Sequence, residues 1–133
     1  MEITKKNIVT ITTSEKKAYE RFSDILEEME VEDVGMLLEA IYYGENSFSD
    51  GIAKFNIKYV ASPLPCDSDC IYISETEREA LKKFWELDGN YFDIEDLNMV
   101  LDAFVEGDSN YRDSLCRFKI KYEGWQIVNP MIQ

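Results

Sequence analysis

The sequence predicts an α+β fold in which a strand-helix-helix-strand unit occurs twice, its helices packed on one face of a mainly antiparallel sheet. Three observations predict it. The hexapeptide Lys54-Phe-Asn-Ile-Lys-Tyr59 returns as Arg117-Phe-Lys-Ile-Lys-Tyr122. A capping-box pattern, Thr12-x-x-Glu15, returns as Ser74-x-x-Glu77. Between box and hexapeptide, each half carries two stretches of helical apolar spacing.

The match is wider than the motifs. At an offset of 63, residues 34–60 lie on 97–123 with Met36/Met99, Ala40/Ala103, Gly44/Gly107, Asp50/Asp113, Phe55/Phe118, Ile57/Ile120, Lys58/Lys121 and Tyr59/Tyr122 identical. At an offset of 62, residues 9–22 lie on 71–84 with Ile11/Ile73, Glu15/Glu77, Ala18/Ala80 and Phe22/Phe84 identical. A unit of about 60 residues buries only roughly 60% of its unfolded surface. Two units sharing one core are therefore expected: residues 1–62, a linker at 63–70 containing Pro65, Cys66 and Cys70, and residues 71–133.

Taken in order, the β-branched residues between Ile3 and Thr12 predict a strand, best from Ile8 to Ile11. Ala18, Phe22, Ile25, Leu26 and Met29 predict a helix from Thr13 to Met29. Val34, Leu37, Leu38 and Ile41 predict a second, stopped by Gly44. A polar turn at Glu45-Asn-Ser leads to the returning strand, with Ala53, Phe55, Ile57 and Tyr59 on one face and Lys54, Asn56 and Lys58 on the other. In the second half a helix from Glu75 to Leu87 uses Leu81, Phe84 and Trp85 and breaks at Asp88-Gly89-Asn90. The next uses Leu97, Val100, Leu101 and Phe104, with Asp93 as N-cap and Gly107 as stop. After a polar turn at Asp108-Ser-Asn, Cys116, Phe118, Ile120 and Tyr122 face inward and Arg117, Lys119 and Lys121 outward, and Trp125–Pro130 continue or flank that strand.

Charge is segregated along the chain. The net charge is −13. Residues 22–53 contain no Lys or Arg and carry −9, through Asp24, Glu27, Glu28, Glu30, Glu32, Asp33, Glu39, Glu45 and Asp50. Residues 84–111 again contain none and carry −8, through Glu86, Asp88, Asp93, Glu95, Asp96, Asp102, Glu106 and Asp108. The rest of the chain sums to +4. Solvated helix faces and helix-dipole preferences explain individual acids. They do not explain why two corresponding segments lack every balancing cation, because like charges on a helix repel.

The residue inventory removes several function classes. With no histidine, Ser-His-Asp and Cys-His catalysis are excluded, and the usual general base near neutral pH is missing. Three cysteines do not make a closed disulfide framework, and a Cys66-x₃-Cys70 pair without histidine is a poor zinc site. Asp67-Ser-Asp69 and Asp88-Gly-Asn90 do not continue into a calcium loop. There is no Gly-rich phosphate loop. No catalytic residue, metal ligand or cofactor is assigned, and the expected protein is not an enzyme. No apolar run reaches the ~18 residues of a membrane span, and the first residues lack a signal-peptide core, so a cytoplasmic protein of a bacterium or an infected cell is expected.

A strongly acidic chain is a poor ligand for nucleic acid or anionic membrane and a good one for basic proteins. The leading expectation is an acidic binding protein that occupies a basic surface of a partner, in its concrete form a nucleic-acid mimic of the phage anti-CRISPR or anti-restriction type. The expected contact residues are Asp24, Glu27, Glu28, Glu30, Glu32 and Asp33 from the first half and Glu86, Asp88, Tyr91, Asp93, Glu95 and Asp96 from the second. The alternatives are a toxin-immunity or other protein-interaction module, and a small-ligand binder or enzyme using a cleft between the halves.

Overall fold

The β-branched run at the start of the chain forms β2 (Ile8–Thr12), whose Val9 and Ile11 are fully buried. The computed structural model describes residues 2–3, 8–51, 53–62, 64–67, 69–113 and 116–123. The expected Trp125–Pro130 extension lies outside them, as do residues 4–7 of the predicted first strand. A two-residue strand, β1 (Glu2–Ile3), pairs antiparallel with β2. The chain then enters α1 (Thr13–Glu28), α2 (Val34–Tyr42), β3 (Ser47–Asp50), β4 (Ala53–Val60), β5 (Cys70–Ser74), α3 (Glu75–Asn90), α4 (Leu97–Glu106), β6 (Asn110–Arg112) and β7 (Arg117–Glu123). The class is mixed α+β, with four helices and two sheets among the described residues.

Both predicted capping boxes form. The Thr12 hydroxyl accepts from Glu15 N at 3.2 Å while Thr12 N donates to Glu15 Oε1 at 2.9 Å. Ser74 and Glu77 repeat both bonds at 3.2 and 2.9 Å. Helix α2 ends one residue before Tyr43, with Gly44 at φ 72°, and α4 ends at Gly107 with φ 79°. Both glycines occupy the left-handed conformation that closes a helix at little cost only when no Cβ is present. Backbone angles leave the helical range at Asp88 (ψ 127°) and Gly89 (φ 89°), where the sequence places its break.

Three expectations are corrected. There are two sheets rather than one. Sheet order is β1-β2-β7-β6 in the first and β3-β4-β5 in the second. The first strand of each half pairs in parallel with the last strand of the other, β2 with β7 and β4 with β5, so the four main strands close into two separate pairs. Secondly, the supposed polar turns contain strands. Phe48 and Tyr111 point inward and stack on Phe55 and Phe118 of the adjoining strand at 5.2 and 5.1 Å, making β3–β4 and β6–β7 antiparallel hairpins. Thirdly, the N-cap of α4 is Asp96, not Asp93. Asp96 is still in extended backbone, at φ −124° and ψ 96°, and its own carboxylate accepts from Asn98 N and Met99 N, so the first helical turn starts after it.

The halves are joined by reciprocal contacts. Buried Lys16 on α1 donates from Nζ to the Val105 carbonyl near the end of α4, at 3.0 Å. Arg78 on α3 donates to the Ile41 and Tyr42 carbonyls at the end of α2, each at 3.0 Å. Within each half, the Tyr59 hydroxyl donates to the Glu45 carbonyl at 2.8 Å, and the Tyr122 hydroxyl to the Asp108 carbonyl at 2.8 Å. Cations at helix C-termini satisfy orphan carbonyls and offset the negative end of the dipole. Helix α2 packs on α3 and α1 packs on α3 and α4. Tyr19, Phe22, Phe84 and Phe104 are almost wholly buried at the centre of a single apolar cluster drawn from both halves. Tyr19 keeps its hydroxyl satisfied by donating to the Ala80 carbonyl at 3.0 Å. The inward residues of β4 and β7 join that cluster, while Lys54, Asn56, Lys58, Arg117, Lys119 and Lys121 stay exposed.

Candidate functional site: an acidic cleft between two helix N-termini

The turns before α2 and α4 each end in an aspartate, because a short carboxylate can reach the free amides of the first helical turn. Asp33 Oδ1 accepts from Met36 N at 3.1 Å. Asp96 Oδ1 accepts from Asn98 N at 3.1 Å and Met99 N at 3.2 Å. These two first turns touch. A Cβ placed on Gly35 would lie 3.7 Å from Leu97 Cδ1 and 4.0 Å from Trp85 Cζ3. The contact brings both caps to the rim of one cleft of about 480 Å³. Val34, Ile94 and Leu97 supply its apolar lining, and its carboxylates are Glu32, Asp33, Asp50, Asp88, Glu95 and Asp96. Among the described residues no Lys or Arg lines it.

The break in α3 delivers Asp88. Its Oδ1 accepts from Ile94 N at 3.1 Å, and Gly89 N donates to the Phe92 carbonyl at 2.8 Å, which folds residues 88–94 back on themselves. Asp50 arrives at the end of β3. Its Oδ2 is buried and has no hydrogen-bond partner. The ion pairs formed elsewhere, Lys16–Glu20 at 2.7 Å, Arg21–Glu77 at 2.6 Å and Lys83–Glu15 at 3.3 Å, involve none of the cleft carboxylates. Two of the six charges face helix N-termini, where the dipole offsets them. The others add to a negative potential that a concave wall focuses.

The cleft therefore gathers Glu32, Asp33, Asp88, Glu95 and Asp96 from the residues expected to contact a partner. The others lie elsewhere. Asp24 and Glu28 line a second hollow with Lys17, Glu20, Arg21 and Cys66, where the charge is mixed. Glu86 accepts the Tyr42 hydroxyl at 3.1 Å, and this hydrogen bond and the carboxylate charge raise the Tyr42 pKa. Glu27 is exposed on α1, and Glu30 occupies the following turn at φ 56°. Tyr91 and Asp93 are exposed in the α3–α4 connection without lining the cleft. Asp50 was missed as a site residue. The signal for it was its place in the cation-free segment together with its match to Asp113.

Arg112 on β6 stands directly opposite Arg117 on β7, and both are exposed beside Lys119 and Lys121. Among the described residues no group of three or more His, Cys, Asp or Glu is arranged to hold a metal ion. No described helix is long and apolar enough to cross a membrane. Buried Cys116 is a poor nucleophile, its pKa pushed up to about 11 by burial and by the charges of Asp113, Asp93 and Asp88.

Compared with protein-family models, curated proteins and solved structures, the chain matches none.

Proposed function

We propose that this protein is a non-enzymatic acidic binding protein, built by internal duplication around one shared core, that occupies a basic surface of a partner protein. Nucleic-acid mimicry is the concrete form of this reading, with the cleft presented to a groove that otherwise holds a phosphate backbone in the cytoplasm. One observation carries it. Two segments far apart in sequence, each devoid of Lys and Arg, contribute their carboxylates to a single cleft that no cation lines among the described residues. Concentrating like charge costs stability, so a solvated face alone accounts for it poorly.

The duplication is supported by hydrogen bonds that recur at the sequence offsets. Lys16 and Arg78, the two capping boxes, and Tyr59 with Tyr122 all obey them. The β4–β5 and β7–β2 registers do too, Asn56 standing opposite Cys70 and Lys119 opposite Ile8. A duplicated unit presents matching acidic turns from both halves.

The test is affinity capture from lysate with the wild-type chain and with E32K/E95K, each at about 0.1 and about 0.5 M salt. Glu32 and Glu95 are exposed, so charge reversal there leaves the core untouched. The reading predicts basic, nucleic-acid-binding proteins, retained at low salt, released at high salt and lost with the variant. Capture indifferent to both salt and charge reversal would contradict it.

A further inference from the structure

The two helix turns that border the cleft each carry one apolar side chain that the fold leaves exposed to solvent and that does not line the cleft itself. Met36 and Met99 are 42% and 45% exposed, in the first turns of α2 and α4. Their amides are the ones capped by Asp33 and Asp96, so each thioether springs from the turn that forms the cleft rim. They occupy matching positions in the two halves. One turn further along each helix, the exposed neighbours are Glu39 and Asp102. Each helix thus shows solvent a thioether beside carboxylates, with no cation on that face.

Resting on the binding function proposed above, we propose that Met36, Met99 and the cleft form one docking surface for a basic segment of a partner protein that carries large apolar side chains between its lysines or arginines. The cations seat among the carboxylates and the apolar side chains pack on the thioethers. Methionine is unbranched and polarizable, so it adapts to side chains of different shape. Charge complementarity selects this occupant. Nucleic acid and anionic lipid are repelled by the rim. The strand faces of a second copy would offer Lys54, Lys58, Arg112, Arg117, Lys119 and Lys121, and among the described residues the exposed positions between them carry no large apolar side chain.

The experiment uses the full chain and two fluorescein-labelled synthetic peptides of equal charge. One interleaves Lys and Arg with Leu and Trp; the other replaces Leu and Trp by Ser. At about 0.15 M salt the apolar peptide is expected to bind at least about ten-fold more tightly than its control. M36S/M99S should remove most of that preference, M36L/M99L should keep it, and E32Q/E95Q should weaken both peptides. Unchanged thermal midpoints show that the variants fold. Equal affinity for the two peptides, untouched by M36S/M99S, overturns the docking surface and leaves the electrostatic function standing. Failure of both peptides to bind even at low salt overturns both. Self-association in sedimentation that M36S/M99S abolishes assigns the thioethers to a second copy and also overturns the proposal.

Discussion

The Tyr111 hydroxyl donates to Asp113 Oδ2 at 2.7 Å. Asp113 Oδ1 accepts from Cys116 N at 2.9 Å, so both carboxylate oxygens are satisfied. Sixty-three residues earlier, Phe48 takes the place of Tyr111 with almost the same ring stacking, and Asp50 takes the place of Asp113. Phe48 has no hydroxyl to give, and Asp50 Oδ2 is the atom left buried without a partner. F48Y is therefore expected to stabilise the protein by about 1 kcal/mol, the net value of a hydrogen bond that rescues a buried acceptor. A higher urea midpoint with an unchanged m-value checks this. No gain in the midpoint would mean that the hydroxyl does not reach Asp50.

The reciprocal caps make a second prediction. R78A removes donors to two carbonyls at the end of α2 and K16A removes one from the end of α4. Each should cost about 1.5–3 kcal/mol, with R78K intermediate because a lysine cannot fork across two acceptors. Each cap joins one half to the other. Urea unfolding should therefore stay a single transition that shifts as a whole. Two separated transitions would show that the halves unfold independently.

Salt should stabilise this protein in a way traceable to the cleft. Uncompensated carboxylates repel, and raising salt from about 0.05 to about 0.5 M shortens the screening length several-fold. Unfolding free energy in urea should rise over that range. E32Q/E95Q should be more stable than wild type at low salt by about 0.5 kcal/mol and should gain less from salt. Identical salt responses would mean that the cleft charges do not sense one another.

Alkaline pH should unfold the protein through its tyrosines. Burial raises the pKa of Tyr19 well above 10, aided by the Glu15 charge, and raises that of Tyr122 to about 12, aided by Asp108. Burial and the hydrogen bond to Asp113 also raise Tyr111. A folded-state pKa raised above the unfolded value near 10 gives stability that is fully present below pH 10 and lost as pH rises through the folded value. The urea midpoint should hold to about pH 9.5 and fall between about pH 10 and 12, with tyrosinate absorbance rising alongside loss of near-ultraviolet dichroism. Tyrosinate absorbance complete before any loss of structure would contradict this.

Much of the architecture was legible because its signals are local. Both capping boxes, the helix-ending glycines, the break at Asp88-Gly89 and the alternation along Lys54–Tyr59 are chemistry within a few residues. The two sheets were not legible. Parallel pairing of β2 with β7 depends on how the halves exchange strands, and neither strand encodes its neighbour. The short strand Asn110–Arg112 was hidden by polar residues, since only Tyr111 faces inward. The segregation of acids was readable, but their convergence was not. Glu32 and Glu95 line one cleft because the first turns of α2 and α4 touch, whereas Asp24 and Glu28, equally acidic in sequence, lie beside Lys17 and Arg21.

The central claim is that the cleft competes with phosphate for a basic surface. Its most direct test is a competition measurement. A captured basic partner is bound to its own fluorescently labelled nucleic acid, and wild-type protein or E32K/E95K is titrated in while anisotropy is read. The account predicts that the wild type releases the nucleic acid, that release weakens steeply with salt, and that E32K/E95K fails to release it. A wild type that binds the partner while leaving the nucleic acid in place, or a variant that displaces it equally well, would contradict the account.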